Sequence, residues 1–266
     1  MFNTDLYEHQ DPELIYIIEN ELQKDDFSED FQALKLEFES QIVKKCRCTE
    51  DCTTNCLHGG NYLPNSSSND LILNENRKSL DVLYECNSLC ECSFDCRNRL
   101  VVFGPRKSLK IVDFGAKGKG LITETAIPKG AFVCEYAGEV LTKAEAIKRN
   151  AKNDENGLMN YIICLNEARN DGKSGKTLQT FIDPSRKGNI GRYLNHSCDP
   201  NCTIISVRID SPVPKLGIFA KNDIKAGDEL TFHYGGETPS TEMPENAKKC
   251  LCKAENCMKF LPNWKF

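Results

Sequence analysis

The chain has 266 residues, of which 39% are hydrophobic and 27% are charged, and its formal net charge is −5. This composition is typical of a soluble globular protein with room for a real core. The first residues, MFNTDLYEHQDPELIYIIEN, have neither the basic start nor the apolar run of a signal peptide, and no stretch is apolar for long enough to span a bilayer. We therefore expect an intracellular protein in a reducing compartment, with no membrane partner.

The N-terminal segment, residues 1–43, is strongly acidic. Residues 1–40 hold twelve acidic residues and two lysines, a net charge of −10, which leaves +5 on the rest of the chain. A solvated acidic tail is the simplest explanation, and contact with a charged partner stays open. Apolar residues at mixed spacings of three and four over 12–23 and 31–43 predict two amphipathic helices that pack on the body.

The fifteen cysteines indicate metal binding, because an odd number in a reducing compartment argues against a disulfide framework. Two groups in residues 44–107 have the patterns C-x-C-x3-C-x3-C and C-x3-C-x-C-x3-C. Thiolates this close can converge on zinc, which takes four ligands, so eight of them predict at least two ions or a cluster with bridging sulfurs. Buried free thiols are the alternative. The predicted ligands are Cys46, Cys48, Cys52, Cys56, Cys86, Cys90, Cys92 and Cys96.

A third cysteine group lies near the C-terminus, where Cys250, Cys252 and Cys257 form C-x-C-x4-C. Three thiolates leave a tetrahedral zinc one ligand short. Cys198, in the polar stretch RYLNHSCDPNC between two strand-like segments, is the best candidate for the missing ligand. A buried structural thiol is the alternative for Cys198.

From residue 108 onward the pattern is short strands broken by Gly and Pro, which predicts a mostly β body. One helix is expected at 142–151, with Thr142 as N-cap and Glu145 completing a capping box. The paired glycines of Gly118-Lys119-Gly120 would let the backbone approach a ligand closely, although a hairpin turn explains that motif alone more simply.

Several motifs together resemble the SET-domain protein lysine methyltransferases, over residues 44–262. They are GKGLITETAIPKGAFVCEYAGEV, NYII, GNIGRYLNHSCDPN, ELTFHYG and CLCKAENC, in the family's order and spacing. The resemblance implies a SET fold of short β-sheets with a threaded (pseudoknot) C-terminal segment. It divides the chain into a pre-SET zinc region at 44–107, a SET catalytic domain at 108–235 and a post-SET zinc motif at 246–262. ECNSLCECSFDCRNR and VRIDSPVPKLGIFAKNDI are most similar to the class that methylates lysine 9 of histone H3.

The resemblance also implies S-adenosylmethionine as cofactor and assigns roles to residues. Tyr234 matches the catalytic tyrosine, Tyr161 is a further candidate catalytic residue that matches a cofactor-pocket position, and Phe232 matches the position that governs how many methyl groups are added. Cys198 matches the fourth post-SET ligand. The family's pre-SET region usually carries nine cysteines on three zinc ions, so His58 is the candidate ninth ligand here, with two or three pre-SET zinc ions and one post-SET ion expected. The implied cofactor-binding residues are Gly118, Lys119, Gly120, Tyr161, Arg192, Asn195, His196 and Tyr234.

The expected partner is therefore the histone H3 tail or the nucleosome, with the protein in the nucleus, on chromatin, and monomeric. An acidic N-terminus without a basic run argues against direct sequence-specific binding of nucleic acid. Phe232 favours a dimethyl or trimethyl product. The alternatives are another lysine, such as lysine 36 of histone H3 or a non-histone lysine, and an inactive zinc-stabilised chromatin scaffold. The retained Tyr234 favours the enzyme.

Overall fold

A computed structural model describes residues 4–49, 52, 56–77, 82–168, 177–235 and 247–262. Strands dominate its regular structure, and no helix in these ranges is long and apolar enough to cross a bilayer. The strands are β1 (Ile15–Tyr16), β2 (Glu21–Leu22), β3 (Tyr62–Pro64), β4 (Leu71–Leu73), β5 (Val82–Tyr84), β6 (Leu109–Asp113), β7 (Lys119–Thr123), β8 (Phe132–Glu135), β9 (Gly138–Leu141), β10 (Ile163–Ala168), β11 (Thr177–Gly188), β12 (Asn195–His196), β13 (Cys202–Arg208), β14 (Lys215–Ala220) and β15 (Glu229–Phe232). The α-helices of the described residues are α1 (Glu29–Glu39) and α2 (Lys143–Glu155).

The strands form small sheets, as the mostly β prediction expects. One sheet has the order β1-β11-β9-β2, with β10 also paired to β11. A second has the order β12-β15-β7-β6, a third β5-β13-β14-β8, and β3 pairs with β4 alone. The main core lies among these sheets and contains fully buried side chains such as Leu121, Ile190, Leu216 and Leu230. The body is therefore a set of short sheets around one apolar centre.

The cysteine-rich region packs on this body through a second apolar cluster, to which both parts contribute side chains. Tyr62, Leu83 and Val101 pack there with side chains of the third sheet, namely Phe132, Val207 and Phe219. β5 also pairs in parallel with β13. The boundary proposed between residues 107 and 108 therefore separates two parts that share a core.

The helix predicted at 12–23 is wrong. β1 instead pairs in parallel with Lys187–Gly188 of β11, and β2 pairs in parallel with β9. Ile and Tyr favour extended backbone, and pairing with a ready sheet edge outweighs a helical spacing of apolar residues in so short a segment. Asn20 accepts a hydrogen bond from Gly138 N at 3.1 Å, which fastens the segment further.

The helices predicted at 31–43 and 142–151 are both present as α1 and α2, but they begin and end at other residues. α1 begins at Glu29, capped by the Ser28 side chain on Phe31 N, and ends four residues before position 43. Thr142 caps α2 as predicted, since its hydroxyl accepts from Glu145 N at 3.2 Å. The capping box is wrong, because Thr142 N donates to Gln23 Oε1 at 2.7 Å and the Glu145 carboxylate pairs with Arg149 at 2.9 Å.

The threaded C-terminal segment is confirmed by one pairing. β12 and β15 are far apart in the sequence but run parallel, with Asn195 opposite Thr231 and His196 opposite Phe232. Ser197 N then donates to Phe232 O at 3.1 Å, which extends the contact beyond β12. The NHSC stretch is thus laid directly against the TFHY segment, and both enter the candidate site together.

Candidate active site and zinc centres

Seven of the eight pre-SET cysteines are buried and pack against one another. The Sγ atoms of Cys46 and Cys52 are 3.6 Å apart, and those of Cys52 and Cys86 are 3.5 Å apart. Four thiolates about 2.3 Å from one zinc ion lie about 3.8 Å from each other, so these spacings fit shared zinc coordination. Ligand atoms within 4.8 Å of one another form three overlapping sets: Cys46, Cys52, Cys86 and Cys92; Cys46, His58, Cys86 and Cys90; and Cys46, Cys48, Cys52 and Cys56.

His58 enters the second of these sets. It is buried, and its Nδ1 lies 3.5 Å from the Cys90 Sγ. Burial and then the nearby Arg99 charge lower the pKa of His58, which keeps the imidazole in the neutral form that binds metals. Arg99 donates from Nη2 to the Cys92 Sγ at 3.6 Å and from Nη1 to Cys86 O at 2.8 Å. This guanidinium places positive charge beside a group of thiolates.

The C-terminal cysteines come together with Cys198. Ligand atoms of Cys198, Cys250, Cys252 and Cys257 lie within 4.8 Å of one another, and the Sγ atoms of Cys198 and Cys250 are 3.9 Å apart. Met258 N donates to the Cys198 Sγ at 3.4 Å. Four thiolates at this spacing fit a tetrahedral zinc ion, which would fasten the tail to the middle of the fold.

Next to this C-terminal cluster lies a cavity of about 590 Å³, large enough for a nucleoside-sized cofactor. Every implied cofactor-binding residue except Gly120 lines it. The lining residues are Asp11, Leu14, Gly115, Ala116, Lys117, Gly118, Lys119, Met159, Tyr161, Arg192, Tyr193, Asn195, His196, Tyr234, Lys248, Lys249, Leu251 and Leu261. We call this space the cofactor cavity.

The two glycines of the GKG motif serve different purposes. Gly118 has φ +77°, a conformation that other residues rarely adopt, and it leaves open space at the cavity wall. Gly120 is buried behind the wall, where a Cβ would lie 2.6 Å from Asn195 Nδ2 and 2.7 Å from the Phe114 ring. Gly120 therefore packs closely against Asn195 and is not among the lining residues, and its implied contact with the cofactor stays a prediction.

Arg192 is held between two aromatic rings at the cavity wall. Its Cζ lies 4.8 Å from the centre of the Tyr161 ring and 5.0 Å from that of Tyr193. Its Nε also donates to Pro184 O at 3.1 Å. Stacking restricts the Arg192 side chain to few rotamers, so little conformational entropy is lost when the guanidinium binds an anionic group.

His196 links the cofactor cavity to the C-terminal zinc set. Its Nδ1 accepts from Tyr234 N at 3.2 Å, so the ring proton is on Nε2, which faces the Cys198 Sγ at 3.4 Å. Burial, assisted by nearby His233, lowers the pKa of His196 to about 4, so the ring is neutral at physiological pH. Asn195 donates to Glu229 Oε1 at 2.9 Å, a partner that the sequence did not indicate.

A second, narrow cavity of about 50 Å³ lies beside the cofactor cavity and shares Met159, Tyr161, Arg192 and Tyr234 with it. We call it the narrow channel. Its lining is largely apolar and aromatic: Tyr136, Met159, Asn160, Tyr161, Ile162, Ile163, Arg192, Leu194, Phe232, Tyr234 and Pro262. The two spaces therefore meet at the tyrosines that the sequence singled out.

Tyr234 and Phe232 both face the narrow channel, as strand alternation predicts, with ring centres 5.0 Å apart. The Tyr234 hydroxyl donates to Leu194 O at 3.3 Å. Burial, followed by the charge effect of Tyr161, raises the pKa of Tyr234, so the side chain is a hydroxyl and not a phenolate at physiological pH. His233 lies between these two residues in the sequence, is exposed and does not line the channel.

Tyr136 is a channel residue to which the sequence assigned no role beyond that of an ordinary strand aromatic. Its hydroxyl donates to Tyr161 O at 2.7 Å and its ring lies 5.7 Å from that of Phe232. Periodicity alone cannot identify such a residue, because β8 and the turn after it are buried on both faces. Leu194 and Pro262 join the channel from distant parts of the chain, so only the threaded topology brings them there.

Comparison with known proteins places this geometry in a family. The family model described as SET domain matches residues 118–235. "Probable histone-lysine N-methyltransferase set-23" of Caenorhabditis briggsae is 38% identical over 242 residues, which cover 90% of each sequence. "Histone-lysine N-methyltransferase SETMAR" of Homo sapiens is 41% identical over 246 residues, and the match spans 88% of this chain but only 34% of that longer protein.

Solved structures have the same fold. The crystal structure of the methyltransferase domain of human SETMAR has a TM-score of 0.74 and 35% identity, over 94% of this chain and 90% of that one. A KRYPTONITE structure has a TM-score of 0.70 and 26% identity, over 94% of this chain and 48% of that one. The threaded NHSC and TFHY segments, the flanking thiolate sets and these matches agree, and the chain belongs to the SET-domain histone-lysine N-methyltransferases.

Proposed function

We propose that this methyltransferase acts on lysine 9 of the histone H3 tail, uses S-adenosylmethionine, and forms dimethyl- and trimethyl-lysine. The observation that carries methyl transfer to a lysine is the junction of two spaces at Tyr161, Arg192 and Tyr234: a broad cavity and a narrow aromatic channel. The choice of lysine 9 rests on the resemblance of two sequence motifs to the class that methylates it. The broad cavity suits a cofactor, and the channel suits the aliphatic stem of a lysine. The KRYPTONITE structure, which contains SAH and an H3(1-15) peptide, supports both assignments.

The protein contributes to the reaction mainly by positioning the lysine amine against the methyl donor and by desolvating that amine. S-adenosylmethionine supplies the methyl group on a sulfonium, so the chain needs no electrophile of its own. A lysine amine has an ordinary pKa of about 10.4, and only its neutral form has a lone pair for attack. The rings of Tyr136, Tyr161 and Phe232 exclude water from the channel, which favours the neutral amine. The Tyr234 hydroxyl, kept protonated by burial, orients that amine at the junction.

We assign three zinc ions to the pre-SET region. Three ions need twelve coordination positions, and nine ligands fill them when three thiolates bridge. Cys46, Cys52 and Cys86 each belong to more than one of the four-ligand sets, which favours them as the bridges. The terminal ligands would then pair as Cys48 with Cys56, His58 with Cys90, and Cys92 with Cys96. The last two sulfurs are 3.6 Å apart.

A histone methyltransferase has a chromatin-associated role, and we propose the nucleus as its location and the nucleosome as its physiological substrate. Monomeric action is part of the same proposal. The boundaries of the pre-SET, SET and post-SET parts are proposals too, because the shared core does not separate them. An inactive scaffold would not need a hydroxyl at the junction of the two cavities.

Positional mass spectrometry tests the choice of lysine. The protein, with its zinc, is incubated with S-adenosylmethionine and three H3 peptides: the N-terminal tail, the same tail with arginine in place of lysine 9, and a peptide centred on lysine 36. We expect methylation of the first peptide alone. Methylation of the arginine-substituted tail or of the lysine 36 peptide at a comparable rate would contradict the assignment.

Phe232→Tyr is expected to shift the product toward monomethyl-lysine at a similar total rate. Phe232 packs between Tyr136 and Tyr234 beside a space of only about 50 Å³, and a new hydroxyl there would hold the amine or an ordered water. A methylated amine would then have less room to turn its lone pair toward the methyl donor. Time-resolved mass spectra of the H3 tail peptide measure the product distribution.

The matched control is Phe94→Tyr, which adds the same hydroxyl to a ring that is 40% exposed and does not line the channel. Its products should be those of the wild type. A wild-type protein that converts all of the peptide to monomethyl-lysine and then stops would refute the role given to Phe232.

A further inference from the structure

The N-terminal segment forms part of the cofactor cavity, which no motif in the sequence indicated. Asp11 and Leu14 line the cavity together with Arg192 and Tyr193. Asp11 supplies the only carboxylate among the described lining residues, whereas five lining side chains are cationic: Lys117, which is paired with Glu229, and Lys119, Arg192, Lys248 and Lys249. A cavity with this balance attracts anions and repels cations, except near Asp11.

Contacts on both sides of Asp11 hold it at the wall. The imidazole of His9 lies between Gly188 O, 3.0 Å from its Nε2, and the Tyr193 hydroxyl, 3.0 Å from its Nδ1. The Tyr16 hydroxyl accepts from Ile190 N at 3.0 Å and donates to the Asp5 carboxylate at 2.9 Å. β1 adds its pairing with β11. The segment therefore presents Asp11 from a fixed position.

The carboxylate itself sits in a tight turn. Its Oδ1 accepts from Glu13 N at 3.0 Å, and Asp11 O accepts from Leu14 N at 3.2 Å. These bonds orient the side chain before any ligand arrives. Asp11 lines the cofactor cavity but not the narrow channel, so it serves the part of the ligand that is remote from the reacting methyl group.

S-adenosylmethionine carries an α-ammonium and an α-carboxylate in addition to its sulfonium, so the bound molecule has one more positive than negative charge. The lysines and Arg192 suit the α-carboxylate, but they would repel the ammonium. We propose that Asp11 is a further cofactor-binding residue, which accepts hydrogen bonds from the α-ammonium. This inference rests on the proposed use of S-adenosylmethionine and adds a residue to that site.

Two ligands separate this contact from other effects. S-adenosylhomocysteine contains the α-ammonium, and 5′-methylthioadenosine has the same adenine, ribose and sulfur but no amino-acid group. Calorimetric titration of the zinc-loaded protein gives a Kd for each. Asp11→Asn should weaken binding of S-adenosylhomocysteine by about 10- to 100-fold, as expected for loss of a charged hydrogen bond. Binding of 5′-methylthioadenosine should change by less than about 2-fold.

The asparagine keeps an oxygen for Glu13 N, so the turn should survive. Glu13→Gln is the matched control. It removes one negative charge, as Asp11→Asn does, but Glu13 lies two residues farther along the chain and does not line the cavity. It should leave both dissociation constants unchanged. If Asp11→Asn weakens the binding of both ligands equally, or of neither, the role given to Asp11 is wrong. The proposed use of S-adenosylmethionine would not be affected by that result. A wild-type protein that binds neither ligand would overturn the proposed cofactor as well.

Discussion

Tyr234→Phe is expected to lower kcat by about 100-fold or more while leaving the fold intact, because a well-placed catalytic group typically contributes that much. The change removes one hydroxyl at the junction of the cofactor cavity and the narrow channel. It keeps the ring and its packing on Phe232 and His196. The amine would lose the group that orients it, whereas binding of the cofactor should change little.

Steady-state kinetics on an H3 tail peptide and a thermal melt test this prediction together. The Tyr234 hydroxyl bonds to Leu194 O at 3.3 Å, and loss of one such bond costs about 1 kcal/mol, a shift of a few degrees in Tm. Tyr84→Phe is the control, since Tyr84 is 45% exposed on β5 and lines neither space of the active site. A Tyr234→Phe protein within about 3-fold of the wild-type kcat would remove Tyr234 from the mechanism.

Removal of zinc by a strong chelator is expected to abolish both activity and cofactor binding. The pre-SET sulfurs form a cluster of buried thiols, and such a cluster has no apolar cohesion to replace the metal. The C-terminal set is similar, and its loss would release the segment whose Lys248, Lys249, Leu251 and Leu261 line the cofactor cavity. Tyr62, Leu83 and Val101 should keep part of the pre-SET region docked, so unfolding should begin at the cysteines.

Elemental analysis checks the stoichiometry, and the assignment of three pre-SET ions and one post-SET ion predicts four zinc ions per chain. Cys198→Ser should reduce this by one ion and weaken cofactor binding by about 10-fold, because Cys198 fastens the tail to the NHSC stretch. Cys164→Ser is the control, since Cys164 lies outside every four-ligand set. Active protein with less than one zinc ion per chain would contradict a structural role for the metal.

The parts of the site that sequence reasoning located depend on local chemistry. Cysteine spacing restricts the zinc ligand sets because few residue types bind zinc. An extended backbone that continues from β15 as far as Tyr234 was enough to place Phe232 and Tyr234 on one face. The mostly β body followed from Gly and Pro between short apolar runs. These features lie in short stretches of sequence, so no tertiary information is needed to recognise them.

The errors and omissions share a different cause, which is pairing between distant segments. Residues 12–23 have helical spacing, yet β1 and β2 are strands because β11 and β9 offer edges to them. Thr142 N is bonded to Gln23 and not to Glu145 for the same reason. Asp11 reaches the cofactor cavity through the pairing of β1 with β11, and Leu194 and Pro262 reach the narrow channel from other distant parts of the chain. No local pattern in one sequence encodes those contacts.

Mass spectrometry of a histone H3 tail peptide, with S-adenosylmethionine that carries a trideuterated methyl group, tests the central claim most directly. The purified zinc-loaded protein should add successive labelled methyl groups to one lysine, lysine 9, and the label should reach the dimethyl and trimethyl states. A peptide that gains no label from a correctly folded protein that binds S-adenosylhomocysteine would contradict the claim that the junction of the two cavities is a catalytic site.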